Sequence, residues 1–314
     1  MKIALCLSGG GVKGAAHIGA LKAFEEANIE FNYISGTSSG SIVAALYAVG
    51  YSSDEIYYLF KKYAKKIKYI DMGAIIKILK NLITKGKFIV EGLNSGKAIE
   101  KAITEACAKK GIYSIGKVKK ELLVPSVDLD SGKIYFFNSM KRRATYSDEV
   151  VYDEKIEIGK AVRASSSYPG VFCPCEYNGI KLIDGGIREN TPWREWKKVG
   201  VDKVICIGYE TQRELKKEKN MVDVISNSLG ILCHELSNYE QYGVDYLMKI
   251  QTNDVSLLDT KQISYLYEQG YKQAKQFIRV ELNKILWYYS KKGGKWNEVS
   301  NYWKNCTNCR SNIK

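Results

Sequence analysis

Three consecutive glycines, Gly9-Gly10-Gly11, stand between an apolar run and a helical pattern, and they constrain this chain more than any other feature. Residues 3–8 are small and apolar, as in a strand buried on both faces. From 13 to 28 the spacing turns helical, with Ala16, Ala20, Leu21 and Phe24 on one face. A tight glycine loop between strand and helix turns its backbone N–H groups together into an anion-binding nest. A second unit follows at once: a short strand from Phe31 to Ser35, then Gly36-Thr37-Ser38-Ser39-Gly40, then a helix over 42–49 ended by Gly50. Strand, loop and helix repeated in this way predict parallel strands with right-handed crossovers, the start of an α/β sheet.

The rest of the chain supplies the other elements. Helical spacing is read over 54–90, 94–110, 157–165, 221–242 and 261–288, and strands over 181–183, 204–207 and 246–251. Residues 122–128 and 133–138 flank Leu129-Asp130-Ser131-Gly132, a hairpin signal. In 314 residues there are only 4 Pro and no Pro/Gly/Ser-rich linker, so one domain is expected over 1–290, with a polar, basic tail over 291–314. The apolar run at the N-terminus is too short for a signal peptide, and none later reaches the ~20 residues that cross a bilayer. A cytoplasmic location is expected. Four of the eight cysteines, Cys6, Cys107, Cys206 and Cys233, sit in apolar stretches and read as buried small hydrophobes. Cys306-Thr307-Asn308-Cys309 is a lone CxxC, weak evidence for zinc, and free thiols are the plainer reading.

Chemistry begins at Ser38. A serine between a strand and a helix, with Gly36 and Gly40 two residues either side, fits a nucleophile elbow. Such a turn strains the serine backbone, exposes Oγ and sets it at a helix N-terminus. The first glycine loop admits three readings. A dinucleotide fingerprint, Gly9-x-Gly11-x-x-Gly14, wants an acidic residue at the end of the second strand, where Ser35-Gly36 stands instead. A phosphate-binding loop wants Gly-Lys-Ser/Thr, but Gly14 is followed by Ala15-Ala16. An oxyanion hole needs only the clustered N–H groups, and it alone also uses Ser38.

A serine nucleophile needs a base. The chain has two histidines. His17 lies one turn into the first helix, where a packed or capping role fits; His234 lies inside a late helix with no turn to present it. Asp184 is the better placed group, because it ends the short apolar strand at Leu182-Ile183 and precedes Gly185-Gly186. Strand ends of this kind are where open α/β sheets hold their ligands. Burial there raises a carboxylate pKa toward that of a useful base.

Taken in chain order, the nest Gly9–Gly14, the elbow Gly36–Gly40 and the turn Asp184-Gly185-Gly186 resemble the three signatures of patatin-like phospholipases. The stretch from Ala161 to Phe172 is similar to that family's pattern as well. The resemblance covers roughly residues 1–210. It implies a three-layer α/β/α sandwich with a mostly parallel central sheet, a Ser–Asp dyad, and hydrolysis of acyl esters in phospholipids or related lipids. By position Ser38 matches the nucleophile, Asp184 the base, and Gly9, Gly10 and Gly11 the oxyanion hole. Lys13 stands where the family carries a basic residue, and Gly14, Gly36, Gly40, Gly185 and Gly186 complete the motifs. No metal or other cofactor is expected, since no ligand cluster lies near these motifs. The alternative is a catalytically silent lipid-binding or regulatory protein on the same fold. Residues after about 210 match no pattern.

The net charge of +14 invites an anionic partner but decides nothing alone, and no nucleic-acid-binding module accompanies it. Between Tyr51 and Lys97 ten lysines face four acidic residues, with Ile56, Leu59, Phe60, Tyr63 and Ile67 at helical spacing. Residues 54–90 therefore read either as a helix covering the sheet or as a lid suited to peripheral association with an anionic membrane.

Overall fold

The structure, a computed structural model, describes residues 1–64, 92–140, 147–210, 221–253 and 255–282. Among these residues one sheet holds β1 (Ile3–Leu7), β2 (Tyr33–Gly36), β3 (Glu121–Asp128), β4 (Ile134–Asn138) and β5 (Val150–Asp153). It continues with β6 (Cys175–Tyr177), β7 (Ile180–Asp184), β8 (Lys203–Glu210) and β9 (Tyr246–Gln251). The main strand order is β5-β4-β3-β2-β1-β8-β9, with β7 on β3 and β6 on β7. Strands β3, β2, β1, β8 and β9 run parallel, so the sheet is mostly parallel at its centre. Ala4 to Leu7 of β1 are 0% exposed, as befits a central strand covered on both faces.

The helices are α1 (Gly14–Glu26), α2 (Ser39–Ala48), α3 (Ser53–Ala64), α4 (Lys97–Lys109), α5 (Ile158–Ser165), α6 (Trp193–Lys198), α7 (Met221–Gln241) and α8 (Ile263–Phe277). Strand periodicity splits the core in two. Leu5, Leu7, Ile34, Leu122, Val124 and Phe137 face one way and pack against α1, α2, α4 and α5. Ala4, Cys6, Leu123 and Phe136 face the other way, against Trp193 and Trp196 of α6. These are the three layers. Trp196 is fully buried, and its indole N–H donates to Ser35 Oγ at 3.1 Å, which satisfies the ring's polar atom in an apolar setting.

Helices α1 and α8 cross almost backbone to backbone. A Cβ on Gly270 would lie 1.9 Å from the carbonyl oxygen of Ala16, and one on Gly19 1.9 Å from that of Tyr267. Residues 263–277 are thereby tied to the first helix of the motif-bearing part.

Most expected elements are present. Strands β5 and β6 and helix α6 lack a sequence-based expectation, being three to six residues long. Of the helix expected over 261–288, α8 runs to Phe277 and passes into a wider turn at Ile278–Leu282, and residues 283–288 lie outside the described residues. Of the amphipathic segment over 54–90, α3 is described: Ile56 is 0% exposed and Phe60 9%, so its apolar face is packed on the core while Lys61 and Lys62 face out. Residues 65–91 and the tail over 291–314 with Cys306 and Cys309 lie outside the described residues. No helix among the described residues is long and apolar enough to cross a membrane.

Candidate active site

The register around β3 brings the two candidate reactive residues together. β2 pairs with the first part of β3 and stops after Ser35 opposite Leu123. β4 occupies the far edge of β3, pairing with Leu123 to Val127. The near edge is thus open beyond Leu123, and β7 fills it antiparallel, with Asp184 opposite Ser126. The end of β2, which leads to Ser38, and the end of β7, which carries Asp184, therefore meet head to head on one edge of one strand. Segments about 150 residues apart converge by this route.

Ser38 adopts φ 52° and ψ −122°, a backbone region that L-residues rarely occupy. Several contacts hold it there. Its N–H donates to Ser165 Oγ at 3.0 Å, and its carbonyl accepts from Ser41 Oγ at 2.6 Å. Thr37 N–H donates to the Leu7 carbonyl at 3.0 Å. Glycine is required on both flanks: a Cβ on Gly36 would lie 2.2 Å from the Gly40 carbonyl oxygen, and one on Gly40 2.4 Å from that of Leu7. Ser38 itself is half-buried and faces a cavity.

Asp184 is 2% exposed. Its Oδ1 accepts from Gly186 N–H at 2.8 Å, and its own N–H donates to the Ser167 carbonyl at 3.0 Å. Oδ2 is buried without a conventional hydrogen-bond partner. Burial raises the carboxyl pKa to about 7, opposed by the Ser38 hydroxyl and then by the Gly186 amide. The Ser38 hydroxyl thus favours the ionised carboxylate.

The glycine loop borders the same cavity, with Gly9, Gly10, Gly11 and Lys13 in its wall. The Gly9 N–H donates to Asn190 Oδ1 at 2.7 Å, and the Val12 N–H to the Leu257 carbonyl at 2.8 Å. Gly11 has φ +58°, and a Cβ there would meet the Leu257 carbonyl oxygen at 2.3 Å. Gly14 packs on Ser39, its missing Cβ 3.0 Å from the serine's. Lys13 is buried, 6.0 Å from the centre of the Tyr209 ring.

His17 is fully buried beneath this loop. Its Nε2 is 2.9 Å from the Ser8 carbonyl, which fixes Nε2 as the protonated nitrogen of a neutral ring, and burial pushes its pKa down to about 4. It stacks at 4.7 Å on Tyr209 and plays the packed role expected of it. His234 and Cys233 line the cavity from α7. Cys233 is half-buried in that wall, whereas its apolar neighbours in the sequence had suggested a core thiol. Burial and the nearby Asp184 push its pKa up to about 11.

Sequence reasoning missed three supports. Ser165 and Ser167, in the stretch from Ala161 to Phe172, fix Ser38 and Asp184 respectively through the contacts above. Asn190, six residues after Asp184, joins the turn to the glycine loop. Its sequence neighbourhood carried no signal of this role.

The cavity holds about 760 Å³. One arm is apolar, between α2, α3 and α4, with Ile42, Leu46, Leu59, Phe60, Ile99 and Ile103 in its wall. The other is more polar, with Ser237, Asn238 and Gln241 of α7. This shape suits an amphiphile with its reactive group at Ser38.

The family model described as patatin-like phospholipase matches residues 5–196, more than half of the chain. The chain belongs to the patatin-like phospholipase family. Members of this family are lipid acyl hydrolases, and this chain is one of them by sequence. Uncharacterized protein YqhO of Bacillus subtilis (strain 168) is 28% identical over 288 residues, covering 87% of this chain and 96% of its own length. Protein R571 of Acanthamoeba polyphaga mimivirus is 32% identical over 298 residues, 87% of this chain and 93% of its own. The lysophospholipase NTE1 of Candida albicans is 29% identical over 205 residues, 65% of this chain but 13% of that much longer protein.

Proposed function

We propose that this patatin-like protein hydrolyses acyl esters of phospholipids or related lipids, with Ser38 as nucleophile and Asp184 as its only general base. The observation that carries this reading is that Ser38 and the buried Asp184, whose Oδ2 has no conventional hydrogen bond, line the same cavity, which has one apolar arm. An acyl chain fits the apolar arm and sets its ester carbon above Ser38 Oγ. As Oγ bonds to that carbon, its proton passes to Asp184, whose pKa near 7 suits a base working near neutrality. The carbonyl electrons move onto oxygen, and the amides of Gly10 and Gly11 are the donors best suited to that oxyanion, because the Gly9 amide is held by Asn190. Collapse breaks the bond to the alcohol, which leaves with the Asp184 proton. Water, deprotonated by Asp184, then adds to the acyl carbon, the bond to Ser38 Oγ breaks, and the proton on Asp184 returns to Oγ as the fatty acid leaves.

The lysophospholipase named among the relatives makes single-chain phospholipids the first substrates to try. Free thiols at Cys6, Cys107, Cys173, Cys175, Cys206 and Cys233 suit a reducing, cytoplasmic compartment. Access to lipid would then be peripheral, with the outward lysines of α3 meeting anionic headgroups. Sedimentation with liposomes that ignores anionic lipid content, or neutralisation of Lys61 and Lys62, removes that part.

The main test uses a fluorophosphonate probe and a lysophospholipid with wild type, Ser38→Ala, Asp184→Asn and His234→Ala. Labelling and turnover should fall at least about 10³-fold in the first two variants with the fold intact, and stay within a few-fold in the third. Full turnover by Ser38→Ala would end the assignment of Ser38 as nucleophile, and a wild type with neither labelling nor turnover would favour the catalytically silent alternative. Loss in His234→Ala equal to that in Asp184→Asn would move the base to α7.

A further inference from the structure

The glycine loop does not hold itself in place. Its first amide, Gly9 N–H, is spent on the side chain of Asn190, with Oδ1 as acceptor at 2.7 Å. The other half of that amide is also used: Nδ2 donates to Ser237 Oγ on α7 at 2.8 Å, and Ser237 in turn donates to the Cys233 carbonyl at 2.7 Å. The Asn190 backbone is held from the same helix, its N–H donating to Glu240 Oε2 at 2.8 Å. Thr191 adds its N–H to the same oxygen at 3.1 Å and its hydroxyl at 3.4 Å, and the Trp193 indole N–H reaches the Glu240 carbonyl at 2.6 Å. One asparagine is thus gripped at both ends by α7 and itself grips the loop.

Position matters at this loop because it touches the nucleophile. A Cβ on Gly9 would lie only 2.9 Å from Ser38 Cβ, so a small drift of the loop changes where Gly10 and Gly11 point relative to Oγ. Donors to an oxyanion act only when they are already in place. An unpaired Gly9 N–H would also seek a new partner in a half-buried site.

We propose that Asn190 is a positioning residue for the oxyanion loop, and that α7, beyond the family-matched residues, clamps the active site through it. This rests on the reading of Ser38 as the nucleophile of an esterase. It assigns a role to the chain after residue 210, where sequence pattern was silent: Ser237 and Glu240 orient Asn190, Asn190 orients Gly9, and the loop then presents its next amides to the reaction. The conformation of α7 is thereby coupled to the rate of the chemical step rather than to substrate capture.

Two readouts test it on the full-length chain. The first is amide hydrogen exchange over residues 8–12, which does not depend on activity. The second is kcat and KM for an acyl ester, beside wild type and Ser38→Ala. Asn190→Leu keeps the side chain's size and removes both hydrogen bonds. It should speed exchange over 8–12 while residues 3–6 of β1 stay protected. It should lower kcat by about 10²-fold with KM changed less than about threefold. Asn190→Asp keeps an oxygen acceptor for Gly9 N–H and should recover most of that loss. Ser237→Ala, which leaves Asn190 intact, should give a smaller fall of the same kind and covers the case of an unstable leucine variant. Unchanged exchange in Asn190→Leu and Ser237→Ala overturns the proposal, as does a loss confined to KM or to thermal stability. A wild type that turns over no ester would instead refute the esterase reading, and the exchange result would still decide whether Asn190 holds the loop.

Discussion

A methyl group on Gly9 would sit 2.9 Å from Cβ of Ser38 and 3.0 Å from Oδ1 of Asn190. The glycine loop, the nucleophile and the asparagine are therefore packed at a separation that leaves no room for a side chain. Gly9→Ala must push the loop off Ser38, lengthen the bond to Asn190, or both. The expected result is a fall in kcat of at least ~10-fold, together with a loss of stability of about 1–3 kcal/mol. Steady-state kinetics and chemical denaturation on the same preparation check the two effects separately.

Much of this arrangement is legible in the amino-acid sequence alone. The strand–glycine–helix opening and the elbow at Ser38 are local, since each is set by residues within about six positions of one another. The strand end at Asp184 was legible from the short apolar run before Gly185-Gly186, although that turn taken alone reads as no more than a turn. What stayed hidden is long-range. That β7 runs antiparallel into the gap left by β2 on β3 depends on pairing between residues 126–128 and 182–184, for which single-sequence periodicity has no signal. Asn190 looked like any polar loop residue, because its partners on α7 lie about 50 positions away. Short elements such as α6 carry too few turns for a period to show. Cys233 was misjudged for a related reason: apolar neighbours fix a helix face but not whether that face meets a core or a cavity.

The backbone of Ser38, at φ 52° and ψ −122°, is one that glycine adopts readily and serine rarely. The surrounding contacts hold the strain in place, and strain of this kind costs about 1–3 kcal/mol. Ser38→Gly should relieve it. The variant is expected to lose turnover and fluorophosphonate labelling yet melt at a higher temperature than wild type. A lower melting temperature would mean that the turn carries no strain that glycine can release.

The pH behaviour follows from Asp184. A base with pKa about 7 is ionised only above that value, so kcat/KM should climb as pH rises through neutrality. Stability should run the other way. A carboxyl whose folded pKa is raised from 3.8 to about 7 binds more protons folded than unfolded in that window, so stability is lost as pH rises from about 4 to 7. Glu189, pushed up to about 8, and Glu240, to about 7, both mainly by burial, act with the same sign. Asp184→Asn removes one of the three contributions. It should gain melting temperature over wild type at pH 8 and show little or no gain at pH 4, which thermal melts across the pH range can check.

Gly270 and Ala16 make α1 and α8 nearly touch, and any Cβ at 270 would overlap the Ala16 carbonyl oxygen at 1.9 Å. Gly270→Ala should force the helices apart and cost roughly 2–4 kcal/mol, well beyond an ordinary helical glycine substitution, which is stabilising where space allows. Denaturant titration gives the number. A neutral outcome would mean that α8 can shift along α1 without loss.

The apolar arm of the cavity offers a test of substrate shape that leaves the reactive groups alone. Ala102 lies on α4, is 5% exposed, and lines the arm beside Ile99 and Ile103. Its small side chain leaves space that a phenyl ring would fill from the wall, and since the ring would enter an existing cavity the core need not expand. Ala102→Phe should therefore leave hydrolysis of a butyryl ester within a few-fold of wild type and lower that of a palmitoyl ester by about 10–100-fold, the range that apolar pocket contacts can discriminate. The comparison is made as a ratio of kcat/KM values for two p-nitrophenyl esters, so that differences in active fraction cancel. A ratio equal to that of wild type would mean that the acyl chain lies elsewhere, leaving the polar arm toward α7 as the other route from Ser38.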